Sequence, residues 1–395
     1  MKSITKVYIS LFLLTLAFAA PAGSAWANMA ANTHIINNAT LSYNDGTGTR
    51  TATASVTVTV ALVPATPAVV PGPPQTTSYS GPATLLTNSF TVTATANGPD
   101  TYNVTSAITG STNTSGATAT PQAPTVSLGA TVTLAGSTTT TIVVPSDGVS
   151  NNIVNGIQAG STVVIGIDTR TVLSVVDNAT GTSAINLAAA LSAVPGPGVL
   201  VAEQKTVPVN VTAGTITTTG TNVTVSKNVT ITSATNNAIT VTSGSVTDTY
   251  TSGAANLVKY VRNVTTPSGT GSPYTYNSVS YYQTGVGAKP GETLEYVLVA
   301  TNSGSGPVTA SEVTDTLPTA YVTLKSDAYG TGKEVTYVSD SNVTSTYSAA
   351  ADSDPATYTA PTLTVYVGTG ATNAAGGSIP GGNKFVLVLY QVTVN

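Results

Sequence analysis

A chain of 395 residues with one histidine, no cysteine and only 12 lysines and arginines against 16 acidic residues excludes several classes of protein at once. So few basic groups cannot neutralise a run of phosphates, which removes nucleic acid as a partner, and the missing thiols remove disulfide frameworks and the usual zinc sites. The 41% apolar content is enough for packed cores, whereas disordered chains combine low hydrophobicity with high net charge.

Along the chain, Lys2 and Lys6 flank the start of an apolar stretch, residues 7–20, and Ala25-Trp26-Ala27 ends it with small residues around a bulky one. This is the pattern of a secretory signal peptide, residues 1–27, cleaved after Ala27. Its apolar core falls short of the ~20 residues that cross a bilayer, so no transmembrane segment is expected after cleavage. The mature chain is expected outside the cell.

Residues 39–43 and 51–62 flank Asn44-Asp45-Gly46-Thr47-Gly48, and Val56, Val58, Val60 and Leu62 alternate with Thr and Ala. The pattern predicts a β-hairpin extension over residues 28–63. Prolines crowd residues 64–83, where Pro71-Gly72-Pro73-Pro74 cannot continue a central strand. That stretch is expected to be an extended linker, reaching ~55 Å at about 3.1 Å per residue, or a strap along a domain surface.

Short alternating runs separated by Gly, Asn, Ser and Pro continue from residue 84, beginning with Phe90, Val92 and Ala94 and then Tyr102 and Val104. They predict a first β-sandwich over residues 84–250 with a small β insertion at about 137–206. Only residues 183–194 offer a helix, and Ile185 and Leu187 suit a strand as well. Charge density then rises, with 11 charged side chains in residues 28–250 and 15 in the shorter span 251–395. The rise marks a second domain, residues 251–395, whose roughly seven predicted strands are what an immunoglobulin-like sandwich requires. The predicted fold class is all-β, with tandem immunoglobulin-like β-sandwiches, a β insertion and an N-terminal hairpin extension.

Two segments of the second domain carry a resemblance. Lys289-Pro290-Gly291-Glu292-Thr293-Leu294-Glu295-Tyr296 runs on to Asn302-Ser303-Gly304-Ser305-Gly306-Pro307, and Val313-Thr314-Asp315-Thr316-Leu317-Pro318 follows. Residues 285–395 resemble the conserved-repeat family known as domain of unknown function eleven, immunoglobulin-like sandwiches of bacterial and archaeal cell-surface proteins. The resemblance implies fold and location and brings no catalytic residue. On the residues themselves, Gly291 and Gly304 suit turns with positive φ, and Asp315 suits a turn cap.

Constellations that carry chemistry are absent from the sequence. The single histidine, His34, would have to serve any Ser-His-Asp triad from the start of the mature chain, and it reads instead as a polar strand residue. Gly46-Thr47-Gly48, Gly285-Val286-Gly287 and Gly368-Thr369-Gly370 each lack the third glycine of a dinucleotide site. Asp340-Ser341-Asn342 and Asp352-Ser353-Asp354 offer oxygen ligands without the spacing of a calcium loop. Glu292 and Glu295, three apart on a strand, point to opposite faces and make a poor acid and base pair. The expectation is no enzyme, no catalytic residue, no metal and no cofactor.

Two functions remain. One is a structural subunit that polymerises with copies of itself into a surface filament, sheath or layer. In that reading Val56, Val58, Val60 and Leu62 form the assembly strand, added to a neighbour's sheet edge, with docking of the hairpin back onto its own chain as the alternative. The other is a monomeric adhesin or binding module that meets a cell-surface, host or substratum partner, for which Tyr274, Tyr276, Tyr281 and Tyr282 are the one aromatic cluster. Alternate tyrosines on strands pack on a core more often than they bind.

Overall fold

The computed structural model describes residues 29–395, so the expected signal peptide lies outside the described residues. No helix occurs among them, and strands follow one another from His34 to Val394. None of the structure's helices is long and apolar enough to cross a membrane, because the described residues contain no helix. The chain divides into two compact units, one of residues 29–63, 96–99 and 129–202, the other of residues 64–95, 100–128 and 203–395.

The first unit holds the N-terminal hairpin and the insertion, which spans residues 129–202 rather than about 137–206. Its insertion strands run in the order Thr141–Pro145, Thr182–Leu187, Asp168–Val176, Thr162–Ile165. Ile142, Val144, Val163, Ile165, Ile185 and Leu187 form its core. The helix considered at residues 183–194 is absent. Ser183, Ile185 and Leu187 are buried while Ala184 and Asn186 are half-buried, so the period is two and the segment pairs as strand Thr182–Leu187.

In the second unit the proline-rich stretch is a strap rather than a free spacer. Ala68–Pro71 pairs with Leu85–Thr93, and Thr76–Ser78 pairs in parallel with Val246–Thr251. Both are edge strands, the place where proline's missing N–H does no harm. The ~55 Å reach of an extended linker is therefore not available. The first sandwich places Leu85–Thr93 and the 203–212 segment in one sheet, and Asp100–Thr112, Val223–Ser233 and Val246–Thr251 in the other. Inward rows of Phe90, Val92, Val209, Val211, Val223, Val225, Val229 and Ile231 fill the space between them.

The second sandwich is built on Thr293–Asn302 paired with Lys384–Val394 over ten residue pairs. Both faces of this pair are covered. Leu298, Val386, Val388, Tyr390 and Val392 pack on the facing strands, and Val297, Val299, Leu387 and Leu389 pack beneath a small hairpin, Tyr274–Tyr276 and Val279–Tyr281. Burial on both faces explains why Val386-Leu387-Val388-Leu389-Tyr390 is continuously apolar rather than alternating. Gly291 has φ +83° in the turn before Thr293, as expected, but Gly304 does not adopt positive φ. Its small size serves a close approach instead, since an added Cβ would lie 2.4 Å from the Ser252 carbonyl oxygen.

Candidate assembly surface

The hairpin of β1 (His34–Asn44) and β2 (Thr49–Thr59) forms its own two-stranded sheet. Its register pairs Ile35 with Val58, Asn37 with Val56, Ala39 with Ala54, Leu41 with Ala52 and Tyr43 with Arg50. Directly opposed residues share a face. One face therefore presents Ile35, Ala39, Leu41, Tyr43, Ala52, Ala54, Val56 and Val58, interrupted by Asn37 and ending at Arg50, while the other, Ile36 apart, is Thr, Ser, Asn and His. Every residue of both strands is exposed, with Leu41 at 62%, Val56 at 59% and Val58 at 56%. At the tip the Asp45 carboxylate accepts from the Thr47 hydroxyl at 2.7 Å, the Thr47 amide at 2.9 Å and Arg50 Nε at 2.9 Å. These bonds, the Thr47 hydroxyl's first, hold its pKa down at about 2.

The root of the hairpin is fixed to its own unit. Ala30 and Ala31 are fully buried, and the Ala31 amide donates to the Asn97 carbonyl at 2.8 Å. Asn97 Oδ1 accepts from the Val63 amide at 2.7 Å, and its Nδ2 donates to the carbonyls of Ala61 at 3.2 Å and Met29 at 3.3 Å. Asn32 Nδ2 donates to Asn155 Oδ1 at 3.0 Å. Gly98 leaves room for Ala31, because an added Cβ would lie 2.4 Å from the alanine methyl. Asn97 thus clamps both ends of the hairpin, a role with no motif to announce it. Replacing Asn97 with Ala is expected to cost about 1–3 kcal/mol in urea unfolding, the range for stranding bonded partners. Amide exchange at residues 30–33 and 60–63 should speed up in that variant.

The four residues named for assembly separate into two pairs. Val56 and Val58 lie exposed on β2, which ends at Thr59. Val60 and Leu62 are half-buried at the root, where the Val60 amide donates to the Thr33 carbonyl at 2.9 Å. His34 opens β1 on the polar face, beside Gly148, where an added Cβ would meet the imidazole Cε1 at 2.9 Å.

Elsewhere the candidate groups are tied into the fold. Asp315 is not a turn cap: it lies within strand Val308–Thr316 and accepts from the Tyr390 hydroxyl and from Lys259 Nζ at 2.5 Å. A side chain turned toward the facing sheet, where Ala255–Asn263 and Lys384–Val394 lie, cannot reach the backbone amides of the following turn. Glu292 and Glu295 share no partner. Glu292 accepts from Thr266, Asn263 and the Lys289 amide, while buried Glu295 accepts from Arg262, Tyr281, Tyr329 and Gln391. Asp352 and Asp354 hold the backbone and side chain of Ser348 and brace their own loop. Among the described residues no group of three or more His, Asp or Glu side chains is placed to hold a metal ion. Tyr281 is buried, Tyr274 and Tyr276 pack against the same core, and Tyr274 stacks on Tyr260 with ring centroids 5.1 Å apart.

No protein-family model matches the chain, and no curated sequence matches it significantly. Among solved structures, the C-terminal domain of the AgI/II polypeptide BspA of Streptococcus agalactiae aligns at 9% identity and a TM-score of 0.29, over 83% of this chain and 91% of that one. BcpA, the major pilin subunit of Bacillus cereus, aligns at 12% identity and a TM-score of 0.19, over 71% of this chain and 68% of that one. Superposition scores this low carry no functional meaning for this chain.

Proposed function

We propose that this is a secreted, non-enzymatic protein of the cell surface whose copies join into a filament, sheath or layer through the β1–β2 hairpin. The observation that carries the reading is the apolar face of the hairpin, exposed along its whole length on a sheet rooted in buried Ala30 and Ala31. A two-stranded sheet alone is marginal in water, and burying such a face is the dominant drive for association. The face bears a single charge, Arg50, already paired with Asp45. Its partner is therefore an apolar strand surface rather than a charged one. A second copy offers that at the sheet edge Ala255–Asn263, whose first four residues, Ala255-Asn256-Leu257-Val258, carry no charge and expose Leu257. The likeness of residues 285–395 to cell-surface repeats supports the same location.

Because the chain has no cysteine, Val58→Cys provides a unique thiol for a polarity-sensitive dye. Emission should shift to the blue as assembly proceeds. An assembled protein whose dye still reports water would overturn the assignment of this face.

A further inference from the structure

The core of the first sandwich contains three polar side chains that its packing does not require. Val223–Ser233 turns Val223, Val225, Lys227, Val229 and Ile231 inward, and Lys227 is fully buried in that apolar row. Asp248, on the neighbouring strand Val246–Thr251, is also fully buried and binds Lys227 Nζ at 2.6 Å through Oδ2. Asn88 comes from the opposite sheet, on Leu85–Thr93, is fully buried, and donates from Nδ2 to Asp248 Oδ1 at 3.0 Å. The Gln75 amide, at 3.0 Å from Oδ1, is the remaining partner of this carboxylate.

Two features are unusual for a purely structural ion pair. An ammonium has three N–H donors, and Lys227 Nζ meets one acceptor. Burial also lowers the Lys227 pKa, against the opposing pull of Asp248, and so favours the free amine, which is the nucleophilic form. Meanwhile Asn88 Oδ1 is buried without a hydrogen-bond partner. With the amide turned over, an assignment that heavy atoms alone do not fix, that oxygen would face Asp248 and accept a proton from its carboxylic acid. An amine and a carboxamide are thus held on the two oxygens of one carboxyl group, away from water.

We propose that Lys227 and Asn88 form an intramolecular isopeptide bond across the two sheets of the first sandwich, with Asp248 as the catalytic acid. Within the pair the ammonium proton passes to Asp248, leaving a neutral amine and a carboxylic acid. The Nζ lone pair attacks Asn88 Cγ while Asp248 protonates Oδ1. Asp248 then relays a proton from Nζ to the amide nitrogen, and the Cγ–Nδ2 bond breaks with loss of ammonia as the Oδ1 hydroxyl returns its proton to Asp248 and the carbonyl re-forms. One amide is exchanged for another, no oxidant or cofactor is consumed, and the acid is regenerated. Asp248 is assigned as the acid because it bridges the other two groups, and Asn88 as the electrophile because a neutral carboxamide accepts an amine more readily than a carboxylate anion does.

The test is the intact mass of the folded, then denatured, full-length mature protein, followed by tandem mass spectrometry of a digest. The expected mass is lower than the sequence mass by one ammonia, with a branched peptide joining residues 88 and 227. Lys227→Met and Asp248→Asn should retain the full sequence mass, and Asn88→Asp should lose water in place of ammonia. The wild-type reading stands even if a variant fails to fold. A full sequence mass after prolonged incubation would overturn the proposal. So would loss of ammonia without the branched peptide, as from a succinimide at Asn97-Gly98 or Asn155-Gly156, or a loss of water that maps to a Lys227–Asp248 link.

Discussion

Replacing Glu295 with alanine is expected to remove about 3–5 kcal/mol from the unfolding free energy, the range for taking one partner from a buried ion pair. The carboxylate sits on Thr293–Asn302, on the face covered by the hairpin of residues 274–281. It accepts from Arg262 Nε at 2.6 Å, the Tyr281 hydroxyl at 2.8 Å, and the Tyr329 hydroxyl and Gln391 Nε2 at 2.9 Å each. Alanine would leave four donors facing an emptied space, three of them on buried or largely covered side chains. Urea unfolding should show a lower midpoint with an unchanged slope, and Glu295→Gln, which keeps the volume and one acceptor, should lose less. Burial by itself would raise this carboxyl's pKa, but the bonds from Gln391, Tyr281, Arg262 and Tyr329 outweigh it and hold it below the ordinary 4.5. A folded-state pKa below the unfolded one gives stability that is complete above the unfolded value and is lost as pH falls through the folded one. The wild-type midpoint should therefore drop below about pH 4.5, and the drop should be shallower in Glu295→Ala.

Much of this architecture was legible because period two is hard to disguise. Val223, Val225, Val229 and Ile231 alternate with Thr, Ser and Asn, and that alternation alone fixes which face is buried. The hairpin was legible for the same reason, with glycines marking its turn. What escaped was long-range. The proline-rich stretch contains strands only because Leu85–Thr93 and Val246–Thr251 offer edges to it, and no local pattern reports an edge. The helix considered at residues 183–194 lost to pairing with Thr141–Pro145, a tertiary effect stronger than propensity. Lys227 stands in plain view at an apolar position of its strand, but the sequence does not show that Asp248 and Asn88 converge on it. Asn97 carries no signal at all, because a side-chain amide that clamps two distant backbone segments looks like any turn asparagine.

The paired substitution Val56→Lys with Val58→Lys is expected to abolish assembly while leaving the fold intact. Both side chains are exposed in the isolated chain, so unfolding should change by no more than about 0.5 kcal/mol. Burying two ammonium groups against a second copy would weaken association at least about a hundredfold, or ~3 kcal/mol at 1.4 kcal/mol per decade. A like substitution on the polar face, Thr53→Lys with Thr57→Lys, should assemble as the parent does. Sensitivity of both faces would indicate loss of the hairpin itself rather than of a contact.

Electron microscopy with sedimentation velocity on the mature protein at neutral pH tests the central claim most directly. The expected result is regular filaments or sheets, with a sedimentation boundary that advances as concentration rises. A single monomer boundary across the full concentration range, with no ordered particles on the grid, would contradict assembly through the hairpin.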